Sequence, residues 1–494
     1  MATLIFLTII FAIIIYYVKA NKKPSEIDKI PRASALSTMW LMLRNRPQDE
    51  IQDAIRESAK GHDIYLSKIG PIASVNILSA EYAKDILTKS EDLAPKLEYE
   101  PGFVYYDFFG RGLIFSNGDL WRTYRKLANT AFNSALSPEM VGETVLELFS
   151  YTQRNLDLPI DIYETMQRTT IEILGKLAFG YKFGYLKSNK TPHIITVYKF
   201  IMSIVKSPYR FIFPWINKLP TANNKKFYQS IEEFDKFIFD IVETKRSEIK
   251  NKPISDDEHV DLLTSMLRLS EQEKIHADTK QLRDEMVNFF VAGHDTTSMS
   301  LSTTFYYLAK YPVIITLNKE IQERARAEVI NVLGNELTIP TSEQLKKMEY
   351  INAILKESLR IYPPGSVISL RSLKEPIKIG PYVVPKDVLC LINLWQIHYD
   401  PKYWENPKQY DPDRFLSNEK RHPFSWIPFS SGPRNCVGQN FALMEQRVIL
   451  SMMLHKYSWT LPKYTINKEK LILESQFFLK PVDVKLIFTK RTEK

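Results

Sequence analysis

The stretch Phe429 to Gly438 constrains this chain more than any other. It reads Phe-Ser-Ser-Gly-Pro-Arg-Asn-Cys-Val-Gly. Gly432-Pro433 ahead of Cys436 and Gly438 behind it suit a tight loop and a close approach rather than packing. After the loop, Phe441, Met444, Val448 and Met452 recur at steps of three and four, which predicts one buried helical face. Cys436 then stands just before a helix N-terminus, where the positive dipole end and the backbone N–H groups favour a thiolate. A thiolate is the form that binds a soft metal or haem iron. A lone cysteine is otherwise most often a buried core residue, and glycines on both sides argue against that role here.

The pattern Phe429-x-x-Gly432-x-Arg434-x-Cys436-x-Gly438 resembles the haem-binding loop of the cytochrome P-450 family. The resemblance implies Cys436 as the proximal ligand to haem iron, in a loop shaped by Gly432 and Gly438. It implies Phe429 shielding the sulfur and Arg434 pairing a haem propionate. The fold it implies is mainly α-helical with a small β region: one large haem-binding domain plus an N-terminal transmembrane helix.

Other segments fall in the family's order. Trp121-x-x-x-Arg125 is an i,i+4 pair on one helix face. An indole donor and a guanidinium both suit a propionate, and the family's third helix carries such a pair. Lys280 to Tyr311 holds no proline and is the longest helix candidate, stopped by Pro312. Ala292-Gly293-His294-Asp295-Thr296-Thr297 lies in its middle, where Gly followed by Thr invites a bend. In the family this helix crosses above the haem, which implies proton delivery through Asp295 and Thr296. One branch, the fatty-acid ω-hydroxylases, often carries a haem-esterified Glu at the position of Ala292. Its absence here predicts haem b held non-covalently apart from the Cys436–iron bond.

Glu357-x-x-Arg360, on a helix expected to start near Ser342, precedes Tyr362-Pro363-Pro364, and Pro412-Asp413-Arg414-Phe415 follows. The resemblance implies a buried network of Glu357, Arg360 and Arg414 that holds the cysteine loop. Glu323-x-x-Arg326 has the same spacing but not the context, and reads as a solvated i,i+3 pair. Arg371 stands where relatives place a propionate-binding residue. Cys390, in an apolar strand-like run, reads as inert core. The aromatic run from Pro101 to Phe115 reads as an irregular loop that roofs the substrate pocket in the family. Phe103, Phe109, Phe289, Phe290, Val367 and Phe477 are candidate pocket residues. They predict an apolar ligand, without choosing among lipid, sterol, terpenoid and foreign hydrocarbon.

Ala2 to Val18 is an apolar run, roughly 26 Å long as a helix, at the short end for a bilayer span. Tyr16 and Tyr17 suit the interface. Lys19, Lys22, Lys23, Lys29 and Arg32 follow, against Glu26 and Asp28. The positive-inside rule leaves the rest of the chain cytosolic. A cleaved signal peptide would carry a basic region first, and none precedes the run. Residues 1–18 are therefore read as an anchor, 19–33 as a basic, proline-bearing hinge, and 34–494 as the haem domain. The family context implies the endoplasmic reticulum membrane, single-pass.

The chain carries a net charge of +9 and only two cysteines. Two cysteines do not make a disulfide framework. A basic balance suits a membrane surface or an acidic partner, and no zinc-finger spacing or basic block points to nucleic acid. With no flavin or nicotinamide fingerprint, electrons must come from outside. The resemblance implies an NADPH-dependent cytochrome P-450 reductase, with cytochrome b5 as a second donor. The implied activity is a haem-thiolate monooxygenase that inserts one oxygen atom of O2 into an apolar substrate. A peroxide-using or rearranging haem-thiolate enzyme and a non-catalytic haem sensor share the cysteine loop. The Asp295-Thr296 pair argues against both.

Overall fold

A computed structural model describes residues 27–491, except 28, 35–37, 39, 42–43, 45, 70–71, 189, 208, 211–212, 252–259, 276–277, 311–320 and 476–477. In chain order the helices are α1 (Gln48–Ala59), α2 (Ala80–Leu87), α3 (Val104–Phe109), α4 (Gly118–Ser134), α5 (Pro138–Gln153), α6 (Ile162–Leu174), α7 (His193–Val205) and α8 (Ala222–Asn251). Then come α9 (Leu262–Gln272), α10 (Thr279–Lys310), α11 (Ile321–Leu333), α12 (Ser342–Lys347), α13 (Glu349–Ile361), α14 (Leu394–His398) and α15 (Gln439–Lys456). The strands are β1 (Ile64–Ile69), β2 (Ile72–Ile77), β3 (Pro159–Asp161), β4 (Val367–Ser372), β5 (Ile377–Ile379), β6 (Tyr382–Val384), β7 (Leu389–Asn393), β8 (Tyr457–Thr460), β9 (Leu473–Ser475), β10 (Leu479–Pro481) and β11 (Lys485–Lys490).

Contacts group the chain into two compact units. The smaller comprises 1–98, 365–408 and 420–435. Its centre is a four-stranded sheet in the order β1-β2-β7-β4. β1 and β2 form an antiparallel hairpin, β2 runs parallel to β7 with Val75 opposite Cys390, and β4 closes the sheet antiparallel. A bulge between Ile368 and Arg371 shifts the β4 register. Ile51, Ile55 and Ala59, spaced by four on α1, bury against Tyr65 and Leu78.

The larger unit comprises 99–364, 409–419 and 436–494. α10 runs through it, packed by α6, α8, α13 and α15. A helix with neighbours on every side has no solvated face, and its hydroxyls must be satisfied internally. Ser302 donates to the Ser298 carbonyl, Thr304 to the Ser300 carbonyl, and Ser300 to Gln446 Oε1 at 2.7 Å.

α10 is helical throughout from Thr279 to Lys310. Thr296 and Thr297 donate back to the Ala292 and Gly293 carbonyls at 2.7 and 3.0 Å, the backbone bonding expected of them. Gly293 also serves close packing, since a Cβ there would stand 2.9 Å from Leu174 Cδ1 of α6. Two expectations change. The aromatic stretch after Pro101 is not all loop. It contains α3, tied at its start by Asp107 Oδ1 accepting the Gly102 N–H at 2.8 Å. The helix expected from Ser342 to Arg360 breaks at Met348 into α12 and α13. The α11 residue Glu328 accepts the Tyr350 and Ile351 N–H groups at 2.7 and 2.9 Å, so a carboxylate caps a new helix start there.

The predicted anchor, residues 1–18, lies outside the described residues, as does most of the 19–33 hinge. Among the described residues no helix is long and apolar enough to cross a membrane.

Candidate active site

Cys436 is exposed, two residues ahead of Gly438, which caps α15. Phe441, Met444, Val448 and Met452 form the buried face predicted for that helix. Arg125 of α4 is half-buried and feels the charge of Cys436. Burial pushes its guanidinium down, and the cysteine's negative form acts in the opposite sense. Trp121, one turn earlier, is buried on the same helix. Gly438 meets only Phe132, at 3.5 Å from a built Cβ, so no steric clash requires glycine there. Gly432 differs. Its φ is +74°, and a Cβ would stand 1.9 Å from the Leu87 carbonyl oxygen.

In the smaller unit, Arg434 is buried and donates from Nη2 to Glu91 Oε1 at 2.7 Å. Arg371, also buried on β4, donates to the Ala94 carbonyl and feels the same Glu91. Burial pushes Arg371 down to about 10. Two buried cations thus share one acid, an arrangement that favours further negative charge. Phe429 is half-buried, and Val367 is 37% exposed. Cys390 is buried in β7, and burial pushes its thiol up to about 12. It is not a nucleophile or ligand at neutral pH.

Glu357 of α13 accepts from Arg360 Nε and Nη2 at 2.7 and 2.8 Å, from Arg414 Nε at 3.1 Å and from the Asp411 N–H at 2.9 Å. Both guanidinium groups also reach the Gln409 carbonyl. None of the three side chains is more than 6% exposed, so every polar atom in the cluster depends on another. The second Glu-x-x-Arg is not the i,i+3 pair its spacing suggests. Glu323 pairs with Arg491, at the far end of the chain.

α10 (Thr279–Lys310) carries the predicted pair Asp295 and Thr296. Between Leu282 and Ala309 every residue is buried except Ala292, Gly293 and Thr296. Ala292 and Thr296 share one face at i,i+4. Asp295, a step of about 100° from Thr296, is turned toward α6 and α7. It accepts from Gln167 Nε2 of α6 at 3.1 Å and from the Tyr198 hydroxyl of α7 at 3.0 Å. His294 Nε2 and Lys206 Nζ lie at 3.2 and 3.5 Å. Despite burial, these partners hold Asp295 well below the usual carboxylate range, His294 most of all. Nothing in the sequence singles out Gln167, Tyr198 or Lys206, because each comes from another helix.

A second cluster on α10 also escapes the sequence. Asp284, Glu285 and Asn288 accept the N–H groups of Arg111, Leu113 and Ile114 at 2.8, 3.0 and 3.3 Å. Asn288 donates in return to the Phe109 carbonyl at 2.8 Å. Glycine is required at 110 and 112, where a Cβ would strike Asp284 and Asn288. The pair Gly110-x-Gly112 is the one sequence trace of this clamp.

Among the aromatic candidates, Phe103 is half-buried and stacks on Tyr99 and Tyr105. Phe109 and Phe289 are buried. Phe290 is fully enclosed by Phe179, Phe183, Tyr198, Phe234 and His294. Its ring packs against aromatic neighbours from α7, α8 and the segment between α6 and α7. Phe477 lies outside the described residues. A cavity of about 1030 Å³ beside α8 and α9, lined by Lys176, Glu243, Lys245 and Asp261, contains none of the predicted site residues.

Among the described residues no group of three or more His, Cys, Asp or Glu is placed to hold a metal ion. An iron bound by Cys436 must bring its other ligands with it, as haem iron does. The open strip at Ala292 and Thr296 in an otherwise enclosed helix leaves room for such a group. A mostly helical fold with a small β region and one exposed thiol at a helix start fit a haem-thiolate enzyme.

The chain belongs to the cytochrome P450 family, whose profile matches residues 31–488. The backbone superposes on the cytochrome P450DA heme domain with a TM-score of 0.78, over 94% of this chain and 97% of that one, at 20% identity. The human ultra-long-chain fatty acid omega-hydroxylase is 28% identical over 86% of this chain and 82% of its own length. Cytokinin hydroxylase of Arabidopsis thaliana is 28% identical over 83% and 79%. The protein is a haem-thiolate monooxygenase of apolar substrates, with haem b held through a cysteine–iron bond and electrons drawn from a redox partner.

Proposed function

We propose that this enzyme hydroxylates a long-chain lipid, with Cys436 as the iron ligand. The observation that carries the reading is the single opening in α10 at Ala292, Gly293 and Thr296, together with a lone exposed thiol. When bound, haem supplies the oxidising chemistry at iron. By the family resemblance, Arg371, Arg434, Trp121 and Arg125 are the residues that would hold its propionates. The network of Glu357, Arg360 and Arg414 is structural and holds the loop. Phe103, Phe109 and Phe289 exclude water and favour an apolar chain. Thr296 presents its hydroxyl to the open face. Asp295, ionised and tied to α6 and α7, must exchange partners to pass a proton to it. The long-chain preference follows the omega-hydroxylase likeness and the aromatic core.

The reading places the protein on the endoplasmic reticulum membrane through residues 1–18, with the catalytic domain cytosolic. A membrane-bound NADPH-dependent reductase is the electron donor. The decisive experiment is the carbon monoxide difference spectrum of the reduced protein. A strongly red-shifted Soret band is expected, lost in Cys436→Ala. An unshifted band with haem bound would remove the thiolate assignment. Ala292 leaves no acid to esterify the haem, so acid–acetone extraction is expected to remove all of it from the polypeptide.

A further inference from the structure

The short helix α14 is held more firmly than its length suggests. The Asn393 side chain accepts the Gln396 N–H at 3.1 Å and caps its start. Asn393 Nδ2 donates to Gln52 Oε1 of α1 at 2.9 Å, and Gln396 Nε2 donates to the Gln52 carbonyl at 2.8 Å. Arg56, one turn along α1, donates to Gln396 Oε1 at 3.0 Å. The last residue of this tethered helix is His398, which is fully buried.

His398 Nε2 accepts the Ile427 N–H at 3.1 Å. A ring nitrogen that accepts carries no proton, so the imidazole is neutral with its proton on Nδ1. Ile427 is buried as well, and a buried backbone N–H needs a partner. Ile427 also opens a turn. Its carbonyl accepts the Ser430 N–H at 2.9 Å, and Pro428 takes the second position, which suits its fixed φ. Phe429 is the third residue of that turn, and Ser430 leaves it at a φ of +61°. A residue other than glycine keeps a positive φ where its surroundings over-determine the backbone. Further on, the Gly432 carbonyl accepts the Asn435 N–H at 3.1 Å, and Cys436 follows. Hydrogen bonds inside the loop close its turns. The His398 bond fixes where the loop begins, and ties that point through α14 to α1.

We infer that His398 is a positioning residue for the cysteine loop. Its Nε2 lone pair seats the Ile427–Ser430 turn, and with it Phe429 and the approach to Cys436. This rests on the reading that Cys436 is the iron ligand, whereas the bond to Ile427 stands without it.

Three substitutions separate the acceptor from the shape of the ring. Glutamine carries Oε1 as many bonds from Cα as the imidazole carries Nε2, and asparagine carries Oδ1 one bond short. Leucine fills space and accepts nothing. The first readout, in the full-length, haem-loaded protein, is hydrogen–deuterium exchange of the peptide spanning 424–435. Exchange is expected to be about tenfold faster in His398→Leu and His398→Asn, the worth of one buried hydrogen bond, and to match the parent in His398→Gln. His398→Asn keeps a polar side chain at the site and carries the comparison if His398→Leu yields no folded protein. The second readout is the carbon monoxide difference spectrum of the reduced protein at equal haem content. Part of the red-shifted band is expected to be lost in His398→Leu and His398→Asn and kept in His398→Gln. Equal losses in all three variants would mean that the ring acts by shape alone, and overturn the acceptor role. Parent-like exchange in His398→Leu and His398→Asn overturns it too, as does faster exchange with an unaltered band. A parent protein without the red-shifted band removes the Cys436 reading instead, and the exchange contrast then decides the role of His398 by itself.

Discussion

Glu357 shows what one residue carries. Its carboxylate accepts four hydrogen bonds in a buried cluster. Glu357→Gln removes the carboxylate charge that Arg360 and Arg414 share, a loss of about 3–5 kcal/mol. The expected result is protein without haem, measured as the haem-to-protein ratio after expression with excess haem precursor. Glu285 is the opposite case. It is fully buried, and burial pushes its carboxyl up to about 8. The folded state thus holds a proton that the unfolded chain gives up from its ordinary value of 4.5. The stability this proton contributes is complete below that value and is lost as pH rises to about 8. Urea midpoints should fall across that window, and Glu285→Gln should flatten the fall. The Glu357 motif is visible in the sequence because three of its members sit in short local patterns. Glu285 is not, because its effect depends on the 109–114 loop meeting α10.

At the scale of elements, the cysteine loop depends on one glycine more than the other. Gly432→Ala forces a Cβ into the Leu87 carbonyl at positive φ, and is expected to cost several kcal/mol and haem binding. Gly438→Ala meets ordinary van der Waals contact and should stay within about 1 kcal/mol of the parent. Thermal melting of the two variants side by side tests the contrast. From sequence alone the two glycines look equivalent. The difference arises because Leu87, at the end of α2, packs against only one of them. The break between α12 and α13 has the same origin: the capping carboxylate of Glu328 comes from α11. Periodicity reports a helix well and its interruption by a distant side chain not at all.

For the whole molecule, a net charge of +9 suits the docking of an acidic partner, as the proposed reductase would be. Reductase-supported turnover is expected to fall several-fold between low salt and about 0.5 M salt. Turnover driven by a small peroxide should hold steady over the same range. What the sequence by itself determined is the placement of residues that are neighbours along the chain: the thiol ahead of α15, the acid and hydroxyl on α10, and the Glu-x-x-Arg helix. These patterns span a turn or a helix face, so spacing alone defines them. Tertiary structure decided which side of α10 is open, which partners hold Asp295, and that Phe290 is packing. It also set Arg210 between the amide oxygens of Asn217 and Asn224. Each of those facts depends on side chains from separate elements meeting in space, and no local pattern records which ones will meet.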